Sequence, residues 1–215
     1  MPNDCPHPLP SRRRPVALIA ALAALWLTVP LLQGCGPAVV TGVVVGASAI
    51  HDRRSATTIL EDQQIELQGM TLKYQTAEIR SGSQIAVTSY NNIVLLTGQA
   101  DSEAISREFA DLMSRQPKVR KVINEVSVGP RASISRQTQD TMLTSQVKAA
   151  LLNVDIPGFD PTRVKVVTES AIVYLMGLVT QAEAEAAVEK ARYVRGVEKV
   201  VKVFEYTDPS AKPAA

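Results

Sequence analysis

The sequence predicts an α+β fold: two tandem copies of one module, each ordered helix, strand, strand, helix, strand (αββαβ), with a three-stranded mixed sheet packed against two helices. Two observations carry that expectation. The first is an internal repeat. Val87-Thr88-Ser89-Tyr90-Asn91-Asn92-Ile93-Val94-Leu95-Leu96-Thr97-Gly98 recurs as Val166-Val167-Thr168-Glu169-Ser170-Ala171-Ile172-Val173-Tyr174-Leu175-Met176-Gly177, with Ile93 on Ile172, Val94 on Val173, Leu96 on Leu175 and the two glycines coincident. The second is the order of periodicities. A helix pattern between two strand patterns in each copy favours a right-handed parallel crossover, which puts the helices on one face of the sheet.

The elements follow in order. Arg12, Arg13 and Arg14 precede an uncharged apolar run, Val16 to Val29, of signal-peptide length. It is shorter than the roughly 20 residues a membrane-crossing helix needs, and it meets Pro30. Leu32-Gln33-Gly34-Cys35 then has the small residue before cysteine that lipoprotein processing requires. Cys35 is therefore the expected lipidation site; an uncleaved anchor or an ordinary signal peptide is the other reading. Residue 36 is Gly rather than the Asp that commonly marks inner-membrane retention, which favours the outer membrane.

The expected organisation is a signal peptide at 1–34, the lipidated cysteine and a Gly-rich tether at 35–58, the first module at 59–128, a linker at 129–137, the second module at 138–206 and a disordered tail at 207–215. The first helices are expected over about 62–76 and 140–153. In the second, Leu143, Val147, Ala150 and Leu151 recur at helical spacing. Val164, Val166 and Thr168 alternate with Arg163 and Lys165, a strand with one wet face. Asn91-Asn92 is a turn signal. Ile172 to Met176 is apolar throughout, as in a central strand covered on both sides.

The second helix of copy two starts at a Thr180/Glu183 capping box and carries Ala184, Val188 and Ala191. Gly196 suits a left-handed cap at its end. In copy one Asp101 is the expected cap, Ile105, Phe109 and Leu112 the apolar stripe, and Pro117 the stop. Last strands are expected over 119–128 and 197–206. The glycines closing the central strands, Gly98 and Gly177, have two readings: a tight exit where a side chain would clash, or close approach of a ligand to the backbone. The first is preferred.

Composition excludes several functions. Loss of residues 1–34 takes the basic residues from 23 to 20 and the acidic from 21 to 20, leaving a neutral chain. Nucleic-acid binding, which needs a basic face, is not expected. Of the two histidines and two cysteines, only His51 and the lipid-bearing Cys35 would survive processing. No Cys/His metal site, disulfide, cofactor or catalytic triad is expected, and the protein is read as a non-enzyme.

The I-V-x-L-x-G strand, the helix after it and the closing run Gly196-Val197-Glu198-Lys199-Val200 resemble the BON domain; Lys118-Val119-Arg120-Lys121-Val122 stands in the latter place in copy one, without the glycine. Two such domains behind a lipidation motif resemble the dual-BON lipoproteins of the outer membrane. The segments Asp52-Arg53-Arg54-Ser55, Val94 to Gln99 and Leu175 to Thr180 fit them. The resemblance implies a protein that supports envelope integrity, concentrates at the division site and binds anionic phospholipid, notably phosphatidylglycerol, through the first helix of the second domain. An envelope-protein adaptor is the alternative it leaves open. On this sequence that helix would bury Leu143, Val147 and Leu151 and turn Met142, Gln146, Ala149 and Asn153 outward, with Lys148 nearby. The second module holds no basic excess, and Met142 reads equally as a lone surface methionine or as a lipid contact.

Overall fold

A computed structural model describes residues 52–208. The expected signal peptide, Cys35, the segment Gly36 to Ile50 and the tail beyond Asp208 lie outside the described residues. The first module runs α1 (Ala56–Gln75), a short α2 (Ala77–Gly82), β1 (Ser83–Tyr90), β2 (Ile93–Ala100), α3 (Glu103–Ser114) and β3 (Lys121–Val128). The second runs α4 (Ile134–Leu151), a 3-10 turn (Pro161–Arg163), β4 (Val164–Glu169), β5 (Ile172–Val179), α5 (Gln181–Arg192) and β6 (Lys199–Tyr206). In each sheet the middle strand pairs antiparallel with the strand before it and parallel with the strand after it. The α+β fold of two αββαβ modules is thus present, with the short α2 added to the first.

Several boundaries differ from the sequence reading. Helices α1 and α4 begin at Ala56 and Ile134, ahead of the apolar periodicity, because Ser55 and Ser133 cap them by accepting from Thr58 and Arg136 amides. Helix α4 therefore starts inside the segment 129–137 expected to be linker. Ser102, not Asp101, caps α3. Helix α5 ends at Arg192, and Gly196 (φ +98°) lies beyond it in the turn Val194–Val197. The capping box at Thr180 and Glu183 is formed. Gly98 and Gly177 sit inside β2 and β5 rather than at their exits. A β-carbon on Gly98 (φ +115°) would stand 2.0 Å from the Gln84 carbonyl oxygen, and one on Gly177 2.6 Å from that of Arg163. The approach to the backbone is made by the chain itself.

Alternation along the middle strands builds one core within each module and a third between them. Val94 and Leu96 turn toward the helices and pack on Ile65, Phe109 and Met113; Val173 and Leu175 do the same against Val147, Leu151, Ala184 and Ala187. The opposite residues, Ile93 and Leu95 of β2 with Tyr174 and Met176 of β5, join Tyr90 and Val203 in a third cluster. The two sheets therefore pack on each other through the faces their helices leave bare. This explains why both middle strands are apolar on both sides, and why each thin module is stabilised by its twin.

Polar bonds rim this seam. Lys165, expected on a wet face, donates to Glu66 (2.7 Å) and to the Ser89 carbonyl (3.1 Å) of the first module. Arg120 reaches Glu205 (2.6 Å) and Gln99 reaches Glu169 (2.7 Å). Arg53, ahead of α1, forks onto Glu183 of α5 at 2.6 and 3.0 Å. Burial would raise the Glu183 carboxyl, but the Arg53 guanidinium and the Thr180 amide outweigh it and hold the group below its ordinary value.

Candidate functional site

Helix α4 buries Asp140, Leu143, Val147 and Leu151. The residues on its far side, Met142, Gln146, Ala149 and Asn153, are exposed, and so is Lys148. Met142 is 61% exposed, and Ile134 at 83% and Leu152 at 72% stand at the two ends of the helix. The hydroxyls on this side are already bonded. Thr138, Thr141 and Ser145 hydroxyls donate to the Ile134, Gln137 and Thr141 carbonyls, and the Asn153 amide donates to Ala149. A helix face whose hydroxyls are already bonded to its own backbone costs less to desolvate than its composition suggests.

Charge comes from the flanks. The turn after α5 lies against α4, bringing Gly196 close to Leu143. Between them is a hollow of about 300 Å³ lined by Arg136, Gln139, Met142, Gln146, Arg195 and Glu198. Asp140 also borders it, but its carboxylate accepts from the Ser170 and Ala171 amides at 2.9 Å each. On the other side, a cleft of about 610 Å³ is bordered by Arg54, Tyr90, Lys148, Leu152, Pro161 and Lys165. There Arg54 is held by Asp52 and Asp62 (2.7 Å each) and stacks 3.8 Å over Tyr90. Lys148, Arg136 and Arg195 have no side-chain partner among the described residues.

The structure therefore supplies what α4 alone lacks. Arg195 approaches through the turn, and Tyr193, 71% exposed with Arg192 stacked 4.8 Å over its ring, begins that turn. Sequence reasoning named Met142, Gln146, Lys148, Ala149 and Asn153; the structure leaves all five exposed, with Met142 and Gln146 at the hollow and Lys148 and Ala149 at the cleft on the other flank. It missed Arg136, Arg195 and Tyr193. Arg136 falls in the expected linker, and nothing in the spacing places the turn beside α4. Among the described residues no group of three or more His, Cys, Asp or Glu side chains could hold a metal, and no helix is long and apolar enough to cross a membrane.

The BON domain family model matches residues 73–130 and 139–208. The chain is 35% identical over 188 residues, 87% of its length and 96% of the relative's, to the Outer membrane lipoprotein DolP of Haemophilus influenzae. It is also 35% identical over 156 residues to the 21 kDa hemolysin of Actinobacillus pleuropneumoniae, covering 72% of this chain and 79% of that one. Among solved structures, the C-terminal domain of CdsD, a structural protein of the Type III secretion system of Chlamydia trachomatis, matches 68% of this chain and 67% of that one at 14% identity and a TM-score of 0.26. The chain belongs to the BON-domain family and carries two copies of the domain.

Proposed function

We propose that the protein is a non-enzymatic lipoprotein, anchored through Cys35 on the periplasmic face of the outer membrane, that binds anionic phospholipid such as phosphatidylglycerol through α4 and supports envelope integrity at the division site. Its likeness to a relative named as an outer membrane lipoprotein supports the address. The observation that carries the binding is the outer side of α4. It combines exposed Ile134, Met142 and Leu152 with hydroxyls bonded to their own helix, and unpaired Arg136, Lys148 and Arg195 flank it. An apolar surface with cations beside it is what an interfacial helix presents to anionic lipid. Anchoring would add high local concentration, so weak contacts suffice.

The test uses residues 45–215, a compact unit that contains all three cores. Met142→Glu replaces an apolar contact, about 1.5–3 kcal/mol when fully buried, with a charge. Sedimentation with phosphatidylglycerol vesicles should fall about tenfold or more, with an unchanged denaturation midpoint. Equal sedimentation of wild type and variant sinks the assignment.

A second reading, a protein-binding adaptor of the envelope, is favoured by α1. Leu60, Leu67, Met70 and Tyr74 are each more than half exposed along one side of that helix. Co-purification of an envelope protein that is lost on Leu67→Glu, with no lipid preference, would select it.

A further inference from the structure

Helix α1 turns an uncharged side to solvent. Its four charged residues all engage the body of the protein: Glu61 meets Lys118 (2.9 Å), Asp62 accepts from the hairpin amides, Glu66 accepts from Lys165 and Lys73 donates to the Ile85 carbonyl (2.9 Å). The outward side is left to Leu60, Gln63, Leu67, Met70 and Tyr74, all exposed. They recur at alternating steps of three and four, the a and d positions of a coiled-coil seam, whereas Asp62, Ile65 and Gly69 are buried against the module. The fold does not require such a seam. Aligned on Asp62 and Asp140, which each bond two hairpin amides, the twin helix α4 carries Thr138, Thr141, Ser145, Lys148 and Leu152 at those places. Anionic lipid is a poor match, because an interfacial helix sets cations beside its apolar side. Here Lys73, Arg80 and Lys118 are held by the Ile85 carbonyl, the Tyr74 carbonyl and Glu61. A charged partner would find no charge to meet its own.

We propose that this seam pairs with the α1 of a second copy of the chain, antiparallel about a two-fold axis at Leu67. A two-fold interface needs a patch complementary to itself. Rotation about Leu67 sets that residue on its own counterpart, Leu60 on Tyr74 and Gln63 on Met70. Each end then pairs an aliphatic side chain with an aromatic one, and no charge meets a like charge. Antiparallel helices also set the positive end of each dipole beside the negative end of the other. Two heptads would not hold a free peptide helical, but α1 is already folded on its own module, so pairing carries no cost of helix formation. A single stripe on each side falls well short of the roughly 20–30 residues a side of a standard interface, so the pair is weak when the chain is free in solution. Copies held on one surface reach a local concentration near the millimolar range, where a weak pair forms. Pairing through α1 thus makes assembly depend on how densely the chain is packed on its membrane.

Residues 45–215 contain no cysteine, so one introduced thiol reports the seam. Leu67→Cys should be joined into a dimer by a short bismaleimide, and far more so when the fragment is held on phosphatidylcholine vesicles by an N-terminal His tag and a nickel-chelating lipid. Leu60→Cys and Tyr74→Cys should each stay monomeric alone and give a dimer when mixed. Glu108→Cys, exposed on α3, should stay monomeric throughout. Joining of Leu60→Cys to itself overturns the antiparallel register, and equal joining of Leu67→Cys and Glu108→Cys overturns the seam. In sedimentation equilibrium of the free fragment, wild type should self-associate as its concentration rises. Leu67→Glu, which removes a leucine from each copy, should weaken that association roughly a hundredfold and keep the denaturation midpoint of the monomer, because the residue is exposed. Wild type that remains monomeric up to about 1 mM overturns the proposal. If Leu67→Glu then loses sedimentation with phosphatidylglycerol vesicles, or loses an envelope protein that co-purifies with wild type, this side of α1 belongs to lipid or to that protein instead.

Discussion

At the scale of single residues, each module is held by a buried carboxylate that resembles an ordinary surface residue. Asp140, on the inner side of α4, accepts from the Ser170 and Ala171 amides. Asp62, at the matching place on α1, accepts from the Asn91 and Asn92 amides at 2.8 Å, from the Ser89 hydroxyl at 2.6 Å and from Arg54 at 2.7 Å. Each aspartate thereby ties its helix to the hairpin it packs on, through two donors that have nowhere else to go. Replacement by Asn keeps the shape but turns one acceptor into a donor facing an amide N–H. Leaving a buried donor unmatched costs about 1–3 kcal/mol. Asp140→Asn should therefore destabilise by about that much, and Asp62→Asn by more, because it also removes one of the two carboxylates that hold Arg54. Urea denaturation of the two variants checks this, and equal midpoints for Asp62→Asn and wild type would refute it.

At the scale of elements, the two hairpins share a geometry but not its preferred residues. Both turns have two successive left-handed residues, Asn91 (φ 52°) with Asn92 (φ 62°), and Ser170 (φ 52°) with Ala171 (φ 63°). This is the type I′ connection that matches strand twist, and its second position favours glycine. Asparagine tolerates it; alanine, with a β-carbon and no local hydrogen bond to offer, loses roughly 1–2 kcal/mol. Glycine costs about 0.5–1 kcal/mol in unfolded-state freedom, so the backbone term wins. Ala171→Gly should raise stability by up to about 1 kcal/mol, read as a higher melting temperature; a lower one would contradict the turn assignment. The same hairpins show what was legible beforehand. The repeat from Ile93 to Gly98 and from Ile172 to Gly177 was readable because strand periodicity and a sterically required glycine leave a mark in every copy. The helix starts were not, because Ala56 to Glu61 and Ile134 to Gln139 form first turns set by serine caps and bury no apolar stripe. The outward side of α4 could be read from its period, whereas Arg195 could not, since only the folded turn brings it to the helix.

At the scale of the whole molecule, the sheet-to-sheet seam makes two small modules into one body, and two buried tyrosines make that seam sensitive to alkali. Tyr90 donates to the Arg163 carbonyl across the seam at 3.2 Å, and Tyr174 reaches Glu125 at 3.5 Å. Burial pushes the Tyr90 hydroxyl up to about 12, against a smaller opposing pull from Arg54. Burial, reinforced by the Glu125 carboxylate, pushes Tyr174 up to about 12 as well. Below the ordinary phenol value near 10, folded and unfolded chains both keep these protons, and stability does not depend on them. Between about 10 and 12 the unfolded chain releases protons that the folded chain retains, so rising pH favours unfolding. Each pH unit that separates the folded from the unfolded value is worth about 1.4 kcal/mol, so the loss is at most about 2–3 kcal/mol for Tyr90. It is smaller for Tyr174, where solvent screens part of the charge. Denaturant midpoints should thus fall more steeply from about pH 10 to 12 than from about pH 7 to 9. The double variant Tyr90→Phe, Tyr174→Phe should begin slightly less stable at neutral pH, having lost two hydroxyl contacts, and decline less over the alkaline range. An alkaline decline as steep in the double variant as in wild type would assign the loss to other groups, and would show that the seam does not hold its tyrosines protonated.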